Sequence, residues 1–164
     1  MVPSREKGQA SAGVERMNWD LIFSLTNAIA MLGWVMLAVL PRKPWVLSAV
    51  LYVGVGLLCL IYLLLFVASL GGMVDPGQLF GTPEPDLLDY SIAGLRPLFL
   101  SDGGIVVAWT HYLAFDLFVG LWIAREADAR RVGRLVQLPF LFLTLMAGPI
   151  GLLAWLGFRG LKAR

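Results

Sequence analysis

Apolar residues in this chain arrive in four long runs, at positions 21–40, 45–70, 104–124 and 135–158, separated by short polar or turn-forming stretches. Each run meets the roughly 20 residues needed to cross a hydrocarbon core about 30 Å thick, so the pattern predicts four transmembrane helices. Asp20 borders the first run, and Pro41-Arg42-Lys43-Pro44 ends it. The prolines lack the donors a helix needs and the two cations anchor a turn at the interface, which makes spans one and two a tight antiparallel hairpin. Spans three and four are joined by residues 125–134. This segment holds four Arg together with Glu126 and Asp128, and it reads as the solvated end of a helix turning at Gly133.

Spans two and three are separated by some thirty residues rich in turn formers, among them Gly71-Gly72, Asp75-Pro76-Gly77 and Gly81-Thr82-Pro83, followed by a half-apolar stretch at 87–100. Leu87, Leu88, Ile92, Leu95, Leu98 and Phe99 recur near helical spacing. They predict a short helix lying in the interface, broken by Pro97 and able to lid the core. A connecting loop with a few apolar anchors is the competing reading. Residues 1–16 are small and polar, without the apolar core of a signal peptide. They are expected to be a disordered N-terminal extension, with Met17 as the true start and residues 17–160 as a single four-span domain. The expected fold is therefore all-α, an integral membrane four-helix bundle with a short interfacial segment between helices 2 and 3.

Composition removes the soluble alternatives. With 59% hydrophobic and 15% charged residues and a mean hydropathy of +0.78, the chain lies far from a soluble domain, where about a quarter of residues are charged. A net charge of +2 without a basic run or stripe gives no surface for nucleic acid. One cysteine, Cys59, and one histidine exclude an internal disulfide and a protein-only metal site built from these two residue types, and no phosphate-cradling loop or nucleophile elbow is present, so no cofactor is expected. Four straight spans would put both termini and the long loop on one side. That side would hold seven Lys and Arg against six on the other, a difference too small to set orientation.

Ionisable groups inside spans are costly, about 2.5–3.5 kcal/mol for a central Asp, and so invite a functional explanation. Span three carries two, His111 and Asp116. At about 100° per residue, Trp109, Tyr112 and Asp116 share one face, whereas His111, Phe115, Phe118 and Trp122 form another. His111 and Asp116 project about 140° apart and cannot bond directly. Tyr112 and Asp116, at i and i+4, can meet. Asp116 then needs a partner from another helix, for which Asn27 and an interfacial Arg are the candidates. In span one, Asp20, Ser24 and Asn27 form a polar stripe expected to face other helices; the alternative has Asp20 as an N-cap and Ser24 with Asn27 as packing contacts. In span four, Thr144 and Gly148 allow close backbone approach, and Pro149 frees the Leu145 carbonyl and predicts a kink.

Several of these segments resemble the abscisic acid-deficient protein 4 family of small four-span proteins: Asp20-Leu21-Ile22-Phe23 with Asn27 and Trp34, then His111-Tyr112-Leu113-Ala114-Phe115-Asp116-Leu117-Phe118-Val119-Gly120, then Thr144 with Gly148-Pro149-Ile150-Gly151. The resemblance covers residues 18–158. Plant members are implicated in forming neoxanthin, an allenic xanthophyll, from violaxanthin. What the resemblance implies is a role in carotenoid or xanthophyll metabolism. The absence of a plastid transit peptide points to a multi-pass protein of a bacterial plasma membrane.

Opening a 5,6-epoxide to an allene requires a proton on the epoxide oxygen and removal of another from the adjacent polyene carbon, without redox change or cofactor. Burial favours the neutral form of both a carboxylic acid and an imidazole, so Asp116 is cast as acid, His111 as base and Tyr112 as the group that orients Asp116. Trp109, Phe115, Phe118 and Trp122, with Asn27 and Asp20, are the candidate binding residues for a polyene entering from the lipid. Two other readings stand beside this one: a non-enzymatic carotenoid- or lipid-binding protein that forms a homo-oligomer or serves a partner membrane enzyme, and a small proton pathway, for which two central ionisable groups are too few stations.

Overall fold

The computed structural model describes residues 17–75, 77, 88, 89 and 91–162. The expected disordered extension at 1–16 and much of the loop between spans two and three lie outside the described residues. Helix α1 (Trp19–Val39) is capped by Asn18, whose Oδ1 accepts from the Leu21 N–H at 3.0 Å. Asp20 is not the cap; it sits exposed in the first turn. After the Pro41–Pro44 turn, α2 (Pro44–Ala49) opens with proline in its first turn, where a missing N–H costs nothing. It continues through a seven-residue π-helical segment (Val50–Gly56) into α3 (Leu57–Leu70), forming one 27-residue rod. The expected interfacial helix appears as two short turns, α4 (Ile92–Leu95) and a 3-10 turn (Leu98–Leu100), on either side of Pro97. Helices α5 (Asp102–Ala129) and α6 (Arg134–Lys162) complete an all-helical chain with no β-strand among the described residues. Four of its helical segments are long and apolar enough to cross a membrane.

The centre of the packing is α5. Leu117, fully buried, is a knob held between Gly33 of α1 and Gly54 of the π-helical segment, and a Cβ at either glycine would crowd its Cδ2. In return the buried Trp34 ring lies on Gly120. Small residues let these backbones approach closely, which is where van der Waals packing between membrane helices is won. Asn27 meets Trp109 and Arg42 meets Asp128, so α1 runs parallel to α5. Leu65 clusters with Val106 while Gly54 meets Leu117, so the α2–α3 rod is antiparallel to both.

Helix α6 departs from expectation. The kink foreseen at Pro149 is a reversal centred on Ala147, whose φ of −156° and ψ of 57° are non-helical. A straight helix would separate Phe140 from Phe158 by about 27 Å. Their ring centroids are 5.1 Å apart, and Phe140 also meets Trp155 edge-on at 5.4 Å. Near the tip, a Cβ on Gly151 would run into the backbone of Thr144. Residues 134–146 and 148–162 are thus the two arms of a helical hairpin rather than one crossing. Pro149, with no N–H to give the Leu145 carbonyl, and Gly148 and Gly151, with no side chains to obstruct, make the reversal possible. One consequence corrects the expected topology: the return arm ends beside the C-terminal end of α5, where Arg159 pairs with Glu126 at 2.7 Å, so the end of α6 does not share a side with the N-terminus of α1.

That end of the molecule is also more ordered than a wet loop. The Arg42 side chain, 5% exposed, donates to Asp128 Oδ1 at 3.0 Å, to the Ala124 carbonyl at 3.1 Å and to Gln137 Oε1. Fully buried Gln137 donates in turn to Asp128 at 3.0 Å and to the Val132 carbonyl at 2.7 Å. Burial pulls the Arg42 guanidinium below its ordinary range and the Asp128 carboxylate pushes it back up; arginine stays charged at any physiological pH. Arg134 closes the same end by donating to the last carbonyls of α1, Val39 and Leu40, where a cation complements the helix dipole.

Candidate functional site at the hairpin tip

Helical periodicity gives α5 the two faces expected of it, and packing treats them differently. On the inner face, Trp109, Tyr112 and Asp116 are spaced at i, i+3 and i+7. Trp109 Nε1 donates to Asn27 Oδ1 at 3.1 Å, and Asn27 Nδ2 donates to the Phe23 carbonyl at 2.7 Å, so the amide of α1 is engaged on both ends. Trp109 stacks on Tyr112 with centroids 5.3 Å apart and lies 6.0 Å from Phe23. The Tyr112 hydroxyl stands 3.5 Å from the Met146 carbonyl oxygen, at the last residue before the break in α6.

Asp116, 8% exposed, sits directly over that break: a Cβ on Gly148 would overlap its Oδ1. Gly148 is therefore the residue that lets a carboxyl occupy the tip of the hairpin. Asp116 lies against the reversed backbone of α6 at Gly148, and Asn27, a partner the sequence suggested, spends its Oδ1 on Trp109 instead. Oδ2 of Asp116 is buried and has no hydrogen-bonding partner among the described residues. A buried carboxyl oxygen left unsatisfied costs about 1–3 kcal/mol or more, and broken helices at membrane depth are where substrate and ion sites are commonly built. Thr144, fully buried beside the tip, spends its hydroxyl on the Phe140 carbonyl at 2.8 Å and is not free to serve Asp116.

The hairpin engages α5 from Tyr112 to Asp128. Beyond its tip, Trp109 and Phe23 remain 39% and 38% exposed. These two rings and Asn27 continue the face that carries Tyr112 and Asp116. In chemical terms the face offers partly exposed aromatic rings beside a phenol and a buried carboxyl with one unpartnered oxygen.

The outer face holds the other predicted residues. His111 is exposed, stacked on Phe115 at 4.5 Å and tilted against Tyr62 of α3 at 5.5 Å, and Tyr62 stacks on Phe66 at 5.7 Å. Phe118 and Trp122 continue this stripe, with Arg159 5.6 Å above the Trp122 ring. His111 and Asp116 are thus on different faces of α5 and do not share a site. Asp20 and Ser24 lie exposed near the start of α1, Ser24 donating to the Asp20 carbonyl at 2.8 Å, and only Asn27 of that stripe reaches the inner face. Sequence reasoning missed the tip itself; Gly148-Pro149 signalled a bend, and nothing in the pattern gave its angle. It also missed a second cluster at the far end, where Glu126 accepts from Trp155 Nε1 at 2.7 Å and pairs with Arg159 and Arg130. No group of three or more His, Cys, Asp or Glu able to hold a metal occurs among the described residues.

A family model described as ABA DEFICIENT 4-like matches residues 21–155, which include nearly all of α1, the rod, α5, the hairpin tip and all three inner-face residues. No curated protein and no solved structure matches the chain.

Proposed function

The chain belongs to the ABA DEFICIENT 4-like family, and on that premise we propose that it is a multi-pass membrane protein of a bacterial plasma membrane that isomerises an epoxy-carotenoid without a cofactor. The observation that carries this reading is Asp116, a buried carboxyl with an unpartnered oxygen on the helix face that also presents Trp109 and Tyr112. Those rings suit a long polyene arriving sideways from the lipid, with its oxygenated end ring at the hairpin tip. Asp116 delivers a proton to the epoxide oxygen as the ring C–O bond breaks. The carboxylate so formed, directly or through the Tyr112 hydroxyl, takes the proton from the neighbouring polyene carbon, leaving an allene and an alcohol with no net redox change. His111, on the opposite face, takes no part in this step.

A second reading rests on the outer face. The continuous run of rings from Phe66 through Tyr62 and His111 to Phe115 suits a pigment that is held and presented to a partner enzyme without conversion. Expression in a bacterial host that makes epoxy-xanthophylls, followed by chromatography and mass spectrometry, separates the two. An isomeric allenic product that requires the gene supports catalysis. Pigment that co-purifies unchanged supports binding alone.

A further inference from the structure

The cluster at the open end of the hairpin, opposite its tip, has no part in the chemistry at the tip. Between the α5–α6 turn and the return arm lies a cleft of about 240 Å³ lined by Arg130, Val132, Trp155, Phe158 and Arg159. Glu126 lies at the same cluster, 18% exposed, and binds both arginines and the indole, holding the two guanidinium groups in one place. Arg130 and Arg159 remain 41% and 34% exposed. One carboxylate against two guanidinium groups leaves the cleft with an excess positive charge and unspent donors beside an apolar wall of Trp155 and Phe158.

The fold-back of α6 decides which membrane face this is. With the return arm ending beside α5, eight of the nine Lys and Arg among the described residues belong to segments that form this end: Arg42, Lys43, Arg125, Arg130, Arg131, Arg134, Arg159 and Lys162. Straight spans had left that count nearly balanced. Under the positive-inside rule the cleft faces the cytoplasm, where the leaflet carries anionic lipid. We propose that the Arg130–Arg159 cleft binds the phosphate of an anionic phospholipid headgroup, with the acyl chains leaving past the half-buried Phe158.

Purified full-length protein exchanged into vesicles of phosphatidylcholine containing phosphatidylglycerol, then released and measured by native mass spectrometry, tests the proposal. One retained phosphatidylglycerol per chain is expected, with Arg130→Gln and Arg159→Gln each weakening retention about fivefold. Arg125→Gln, at the same end but outside the cleft, keeps it. Monodispersity on size exclusion confirms that each variant is folded. Equal retention in all variants, equal retention of phosphatidylcholine alone, or displacement of the lipid by millimolar inorganic phosphate overturns the headgroup assignment. Reporter fusions test its premise: a cytoplasmic C-terminus with an external N-terminus is expected, and both termini on one side contradicts the fold-back. None of these readouts depends on carotenoid chemistry.

Discussion

The two faces of α5 carry the chain's two most conspicuous polar groups, and they have opposite surroundings. Asp116 is enclosed by a neighbouring tyrosine and by the reversed backbone of α6, while an amide of α1 anchors the tryptophan beyond. His111, five residues earlier, stacks against the rings of Phe115 and Tyr62 and stays exposed. A carboxyl placed where nothing among the described residues satisfies one of its oxygens is held there by the fold at a cost. An imidazole at the edge of a ring stack costs little and is easily replaced. Ionisable character inside an apolar span is therefore a weak guide to function by itself; what separates the two residues is whether the rest of the fold converges on them.

Substitutions sharpen that contrast, read as reversible unfolding in mixed micelles. Leu117→Ala, which empties the notch between Gly33 and Gly54 and loosens the scaffold of both faces, is expected to cost about 2–5 kcal/mol. Gly148→Val forces a side chain onto Asp116 and should cost about 1–3 kcal/mol by overpacking, with loss of whatever the tip binds. Tyr112→Phe removes one long hydrogen bond to Met146 and is expected to cost about 0.5–1 kcal/mol. His111→Phe keeps the stack on Phe115 and Tyr62 and should stay within about 0.5 kcal/mol of the parent. A large cost for His111→Phe, or none for Gly148→Val, would erase the distinction between the faces.

Much of the frame was legible in the chain because it follows from local rules. Apolar run length located the four long helical segments to within a few residues, and the 3.6-residue period put Trp109, Tyr112 and Asp116 on one face and His111 with Phe115 on the other. What stayed hidden depends on residues far apart in sequence. Gly148-Pro149 announces a weakened helix, but only the packing of Phe140 on Trp155 and Phe158 turns a bend into a reversal. The Arg42, Asp128 and Gln137 clamp joins positions more than eighty residues apart, so the charges at 125–134 looked solvated when taken alone. Asn18 rather than Asp20 caps α1 because the helix begins two residues earlier than the apolar run implies. The π-helical segment at Val50–Gly56 has no pattern of its own; it accompanies the seating of Gly54 against Leu117.

The central claim is that the inner face, completed by the hairpin tip, is where this protein acts. It is tested most directly by comparing Asp116→Asn with His111→Ala in the epoxy-xanthophyll host, with membrane levels of both variants matched to the parent. Asp116→Asn is expected to abolish the new isomer and His111→Ala to leave it within about twofold. Product that survives Asp116→Asn but disappears with His111→Ala would instead place the site on the outer face.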